Sequence, residues 1–429
     1  MAAGRIRSRM GLRSLRPLPA MTEPSATPPL DIDRLRGETP GCAHRNHLNN
    51  AGAALMPIPV VTAVREHLRL EEETGGYEAA AARQEAIAEA YAEVEVLLEA
   101  APGTVAFTGS ATESFTQALS SVPWKPGDVL LTTRDDYASN QIQYLSLARR
   151  MGVELVRAPD AEEGGLDLPA MEELIHRRRP RLVAVTHIPT NSGLVQPVAE
   201  VGRMCRSRGI PYLVDACQSV GQMPLDVEEI GCDFLSATAR KFLRGPRGAG
   251  FLYVSPRILD AGWEPLFPDL RGADWVDADL YQPAPDARRF ENWEFFHGLV
   301  LGMGAAARYA SACGLPALRD RIRWLARYAR ETLATLQGIQ VLDRGPELGG
   351  IVTLAVDGWN AEALVPELRK RRINTSALTR VSAVLDFDAR GIETALRVSP
   401  HAYNTPWEID ELAAALEELV GRGPSGAAA

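Results

Sequence analysis

Apolar residues recur at helical spacing from about residue 60, most clearly over 79–101, where Ile87, Tyr91, Val94, Leu97 and Leu98 keep a period near 3.6. From residue 104 the texture changes. Short β-rich runs at 104–108, 129–133, 154–157, 182–186, 212–214, 234–236 and 250–254 alternate with helical segments at 113–121, 138–151, 168–178 and 198–208. Apolar strands separated by helices of this length predict an α/β fold with a mostly parallel sheet covered on both faces. In such sheets ligand groups gather on loops at the carboxyl ends of the strands, so the residues just after each strand are where chemistry is expected. Beyond about residue 304 the pattern predicts a long helical stretch over 305–336. Strands near 350–356 and 395–398 and helices near 361–371 and 406–420 complete a smaller C-terminal α+β domain. The expected division is a large domain over 31–303, carrying an N-terminal arm, and a small domain over 304–420.

Composition narrows the function classes. The chain has 429 residues and a net charge of −9, so there is no electrostatic case for a nucleic-acid or anionic-membrane partner. No apolar run approaches the ~20 residues that cross a bilayer. Of the 46 basic residues only Lys125, Lys241 and Lys370 are lysines. Chemistry that needs an amine therefore has three candidates. Five cysteines, an odd and scattered set without metal-site spacing, fit a reducing compartment, and a cytoplasmic location with no metal ligands is expected. Cys217 and Cys232 read as small core residues. Residues 1–20 carry five arginines and no acid, and lack the apolar stretch of a secretory signal. Met21 is read as the natural start, with disorder expected over 1–30 and again over 421–429.

Three segments after predicted strands stand out. One delivers Asp215 at the end of an apolar run, with Gln218 three residues on. A second ends in Thr238, Arg240 and Lys241 and is followed by a Gly-rich stretch and another apolar strand, whereas Lys125 and Lys370 sit in contexts that suit solvent. The third, Ser110-Ala111-Thr112, leads directly into a helix, where backbone N–H groups and the helix dipole favour an anion. A lysine, a carboxylate and a phosphate cradle on neighbouring strand ends are what pyridoxal 5'-phosphate (PLP) needs. Lys241 would carry the cofactor and Asp215 would keep its pyridine nitrogen protonated. Ser110, Ala111, Thr112, Thr238 and Arg240 would hold the phosphate.

From about His47 to Leu419 these residues resemble the class V aminotransferase superfamily of fold-type I PLP enzymes, which includes cysteine desulfurases, selenocysteine lyases and isopenicillin N epimerases. The resemblance places Asp215 and Gln218 on the cofactor ring, Lys241 at the cofactor-binding lysine, and Arg397 at the arginine that grips the substrate α-carboxylate. Arg240 stands where the family usually has His. The ring-stacking position, often His in the family, falls on Tyr137, and the contact to the ring oxygen falls on Thr190 with Asn191 beside it. The stretch containing Asn292 and Trp293 resembles the one that reaches a neighbouring subunit's site, which implies a homodimer with shared active sites acting on a small amino-acid substrate. Arg288, Arg289 and His297 could read a second carboxylate, but they are taken first as solvated surface charge.

One departure bears on the reaction. Cysteine desulfurases carry a persulfide-forming cysteine on the loop before the carboxylate-binding arginine. The matching segment, 373–382, has none, and no cysteine follows Cys313. The resemblance then implies Cα deprotonation by Lys241 without an enzyme thiol. β-Elimination from a cysteine-derived amino acid is the first expectation, as in C–S lyases and hercynylcysteine sulfoxide lyases. Transamination and epimerisation are the alternatives, the latter needing a second base such as Tyr137 or His187. A non-catalytic PLP-binding protein comes last.

Overall fold

The computed structural model describes residues 30–423. The expected leader falls almost wholly outside them, as does the tail beyond residue 423. Seven strands form the central sheet: β1 Val105–Thr108, β2 Val129–Thr132, β3 Glu154–Arg157, β4 Leu182–Thr186, β5 Tyr212–Asp215, β6 Phe234–Thr238 and β7 Gly250–Val254. Their spatial order is β1-β7-β6-β5-β4-β2-β3, and β7 alone runs against the rest. The period-2 alternation of strand side chains divides these apolar runs between two cores. Val183, Val185, Val214, Leu235, Ala237 and Phe251 join one cluster. Leu182, Ala184, Leu213, Phe234, Leu252 and Val254 join another. Both faces are therefore covered, as the near-continuous hydrophobicity of the strands requires.

Helix α7 His297–Cys313 packs against both α1 Ile58–Thr74 and α2 Gln84–Leu97. Between α2 and α7 in sequence come α3 Ala111–Ser121, α4 Ala138–Met151, α5 Leu168–Arg178 and α6 Val198–Arg206. Of these, α4 and α5 have the predicted bounds. The small domain holds α8 Leu315–Ala334, α9 Ala361–Lys370 and α10 Pro406–Arg422 against an antiparallel sheet of β8 Ile339–Val341, β9 Val352–Val356, β10 Ser376–Thr379 and β11 Thr394–Val398, in the order β8-β9-β11-β10. The N-terminal arm ties the two together. Asn46–His47 pairs in parallel with Ile373–Asn374, and Ala54 N donates to the Arg240 carbonyl.

Several expectations need correction. The helical stretch over 305–336 is two helices broken at Gly314, whose φ of +84° lies in the region that favours glycine. The expected boundary at 303/304 falls inside α7, whose Val300, Met303 and Ala306 belong to the large-domain core. Helix 79–101 is likewise broken at Arg83. Segment 373–382 contains β10 rather than being a plain loop. The last helix runs to Arg422, so the first two residues of the expected disordered tail are helical.

Candidate active site

The strand register gathers the chemistry at one edge. Thr186 pairs with Asp215, Asp215 with Ser236, and both Thr238 and Thr108 pair with Gly250. Beside this edge the turn into α3 sits directly on the sheet end. A Cβ on Gly250 would lie 2.6 Å from the Ser110 carbonyl carbon and 2.7 Å from the Ala111 nitrogen, so glycine is what lets the turn approach. Ser110 caps α3, its side chain accepting from Glu113 N at 3.2 Å, and Ser236 Oγ donates to the Ala111 carbonyl at 2.9 Å. The first-turn amides of Ala111 and Thr112 lack intrahelical acceptors by construction, the kind of helix start that favours an anion. Thr238 closes the cradle from β6 and donates to the Ala249 carbonyl.

Lys241 is buried, as are Asp215 and Arg397. Lys125 is exposed, and Lys370 is an exposed partner of Glu367. Lys241 Nζ lies over the Tyr137 ring, 5.7 Å from its centroid. Burial depresses the ammonium's pKa, more than Cys217 and Asp215 raise it, and Arg240 and Arg397 press the same way as burial. A neutral amine is the form that can add to a carbonyl or take a proton. The Asp215 carboxylate is fixed at both oxygens: Oδ1 accepts from Cys217 N at 2.9 Å and Oδ2 from Asn140 Nδ2 at 2.9 Å.

Thr190 is a hub. Its Oγ1 accepts from Arg397 Nη1 at 2.5 Å and from Gln218 Nε2 at 3.4 Å, which leaves its own O–H free to donate. Arg397, on β11, also reaches Asn49 Oδ1 through Nη2 at 3.4 Å, while its buried Nε has no partner. The Nε–Nη2 edge is the fork that grips a carboxylate bidentately, and here it stays largely open. Gln218 Oε1 is likewise buried without a partner. Burial pushes the Arg397 pKa down to about 10, with Arg240 the next cause.

Other expected residues sit differently. The Arg240 guanidinium donates to the Gly52 carbonyl, on the arm. Asn191 donates to Asp135 Oδ1 at 3.2 Å and to Asp386 Oδ2 at 3.1 Å, bridging the two domains rather than facing Lys241's neighbours. Asn292 donates to Glu113 Oε1 at 2.6 Å, and Glu113 Oε2 in turn accepts from Gly109 N at 2.8 Å, so Asn292 braces the turn before α3 in its own chain. Trp293 is half exposed. Arg289, expected at the surface, is buried and donates to four backbone carbonyls; Arg288 pairs with Asp286. His187 is buried and held neutral, its pKa lowered to about 4 by burial and Arg323.

Sequence reasoning missed Asn140 and Asp136. Asn140 Nδ2 also donates to Asp136 Oδ1 at 3.1 Å, and Asp136 further accepts from Thr186, Thr132 and Gln141. The available signal was an amide and an acid flanking Tyr137 at the start of α4. A separate group, His67, Glu71 and His297, brings three ligand atoms within 4.8 Å of one another. The sequence pointed to none of them as metal ligands.

The residues around Lys241 fit PLP on their own chemistry: a buried amine, a carboxylate pinned by two donors, an anion-favouring helix start after β1, close to the Gly250 end of β7, and orphaned polar atoms on Gln218 and Arg397. The chain is similar to known proteins over most of its length. A probable cysteine desulfurase of Methanothermobacter thermautotrophicus is 28% identical over 91% of this chain and 98% of its own. A probable hercynylcysteine sulfoxide lyase of Mycobacterium tuberculosis is 30% identical over 90% of this chain and 92% of its own. Among solved structures, the apo cysteine desulfurase of Thermococcus onnurineus NA1 superposes with a TM-score of 0.83 at 26% identity, covering 92% of this chain and 98% of that one. The cystine C–S lyase C-DES superposes at 0.79 and 23% identity over 90% of this chain and 100% of its own, a likeness of fold. The family model described as aminotransferase class V matches residues 46–412, and the chain belongs to that family.

Proposed function

We propose that this protein is a PLP-dependent C–S lyase that cleaves a cysteine-derived amino acid by β-elimination without an enzyme persulfide. The observation that carries the reading is the Lys241 pocket: a buried amine whose pKa burial lowers, beside the pinned carboxylate of Asp215 and the open carboxylate fork of Arg397. PLP bound there supplies an electron sink for the negative charge that develops at the substrate Cα. The α3 N-terminus with Ser110, Ala111, Thr112 and Thr238 would hold the phosphate, Tyr137 would cover the ring, and Gln218 and Thr190 would meet the ring oxygen. Asp215 would hold the proton on the ring nitrogen. Asn140 keeps that carboxylate aimed.

Arg397 binds the α-carboxylate through its Nε–Nη2 edge and so fixes which Cα bond faces Lys241. The amine of Lys241 takes the Cα proton. Loss of that proton would let the Cβ–S bond break with its electron pair on the sulfur, and the remaining three-carbon unit would end, with water, as pyruvate and ammonia. The cysteine nearest the site is a poor thiol acceptor. Cys217, two residues from Asp215, is buried with its thiol pushed well up by burial and then by Asp215, and a thiol so held is inert. A hercynylcysteine sulfoxide lyase among the relatives shows elimination within reach of this fold, beside the desulfurases that match it. The segment 289–294 supports a homodimer with shared sites, half-exposed Trp293 being the side chain available to a second subunit.

The freshly purified protein is expected to show a visible absorbance band that Lys241→Ala abolishes. Incubation with cysteine conjugates or cysteine sulfoxides should release pyruvate and ammonia with no 2-oxo acid added. Turnover that depends on a 2-oxo acid acceptor would make the enzyme an aminotransferase, and loss of α-deuterium with inversion alone would make it an epimerase.

A further inference from the structure

Two guanidinium groups approach one turn of the N-terminal arm from different domains. Arg397, on the small-domain sheet, reaches Asn49 Oδ1. Arg240, next to Lys241 in the large domain, reaches the Gly52 carbonyl. These anchor points are neighbours, because a Cβ on Gly52 would lie 2.5 Å from Asn49 Oδ1. The strongest charged neighbours of Arg240 are Arg247, Cys217 and Tyr137, and those of Arg397 are Arg240 and Tyr137. None is a carboxylate. Burial and mutual repulsion both act against such an arrangement unless anions enter it.

The Arg397 fork accounts for one anion, the substrate α-carboxylate. Arg240 has five N–H donors and spends one on Gly52, so it is equipped for a second. The cofactor phosphate is the other claimant, and sequence alone assigned Arg240 to it. The hydrogen bond argues otherwise: the guanidinium turns to the 49–52 segment, where Arg397 also binds, and the phosphate already has the α3 N-terminus, Thr238 and the close-packed Gly250 edge. We infer that Arg240 builds a second anion subsite for the substrate, so that the preferred amino acid carries an additional acidic group, a carboxylate, sulfinate or sulfonate, at the far end of its side chain. This rests on the site reading above for the position of the α-carboxylate, and it adds the substrate class.

The test compares two near-isosteric ligands, S-carboxymethyl-cysteine and its neutral amide S-carbamoylmethyl-cysteine, by calorimetric binding to the PLP-loaded wild-type protein and to Arg240→Gln and Arg240→Lys. Wild type should bind the carboxylate about tenfold or more tightly than the amide, the size of one charge-assisted hydrogen bond. Arg240→Gln should erase that preference and leave the affinity for PLP, titrated on the apoprotein, within about twofold. Arg240→Lys, which keeps the charge without the fork, should retain part of the preference and guards against a folding defect. Equal binding of the two ligands by wild type overturns the inference. So does an Arg240→Gln protein that loses PLP affinity and weakens on both ligands alike, the behaviour of a phosphate ligand. A protein that shows the charge preference yet releases no pyruvate would leave the subsite standing and count against the lyase reading alone.

Discussion

At the scale of single residues, the aim of the Asp215 carboxylate depends on an amide 75 positions away in sequence. Asn140 Nδ2 divides its hydrogens among Asp215, Asp136 and Thr186, and so stands between two buried carboxylates. Burial pushes Asp136 upward in pKa, against the bonds from Thr186, Gln141 and Asn140. Asn140→Ala should leave Asp215 with the Cys217 amide alone, lowering kcat/KM by about tenfold, the equivalent of ~1.4 kcal/mol for one lost bond to a charged group. Asn140→Asp should do worse, since it sets three carboxylates together. Steady-state kinetics alongside a PLP titration check this, and unchanged kinetics in Asn140→Ala would mean that the Cys217 amide alone aims Asp215. That Lys241, Asp215, Gln218, Thr190 and Arg397 would lie near one another was legible in the sequence, because each follows or lies on a recognisable strand. Asn140, Asp136 and Asn49 were not. Their roles arise from contacts between chain segments that only the sheet order brings together. Arg240 was legible as a residue of the site but not in its direction, which the arm's Gly52 decides.

At the scale of elements, the central strands were readable to within a residue or two because nearly all are buried on both faces and apolar throughout. Helices α4 and α5 were readable for the opposite reason, a clear alternation between buried and solvated faces. What escaped were the strands that exist through pairing: β8, the exposed hairpin Ala273–Asp277 with Leu280–Pro283, and β10. None has a hydrophobic run long enough to stand out. Helix α6 shows how tightly the layers close on the sheet. A Cβ on Gly202 would sit 1.7 Å from the Ile230 carbonyl oxygen, and backbone cannot step aside as a side chain could. Alanine is the better helix former by ~1 kcal/mol, yet Gly202→Ala should destabilise the protein by about 3 kcal/mol because overpacking outweighs propensity. Gly76, in the helix Gly76–Ala82 with open space around its Cβ position, is the control, and Gly76→Ala should be neutral or mildly stabilising. Urea midpoints decide it; a Gly202→Ala midpoint at or above wild type would show that α6 can slide on its neighbour.

At the scale of the whole molecule, the change of texture near residue 304 announced a second sheet, that of β8 to β11, but not how it is tied to the first. The junction is made by the arm at 46–54 and by a polar knot in which Asn191 bridges Asp135 of the large domain and Asp386 of the small one. Asp135 is pushed up to about 7, by burial first and then by Asp386, against the Asn191 bond and Arg390. The sign follows from which state holds the proton. Between the ordinary carboxyl value near 4 and about 7, the folded protein keeps a proton on Asp135 that the unfolded chain has already released. Its contribution to stability is therefore complete below about pH 4 and is lost as pH rises through about 7. Asp135→Asn keeps an acceptor for Asn191 and has no proton to lose. Its unfolding free energy should fall less than that of wild type between pH 5 and pH 8, leaving it the more stable protein at pH 8 by on the order of 1–3 kcal/mol. Urea unfolding of the apoprotein at the two pH values tests this directly. If the variant is no more stable than wild type at pH 8, Asp135 is ionised and adequately paired in the native state, and the two acids at the domain junction lock it at neutral pH instead of straining it.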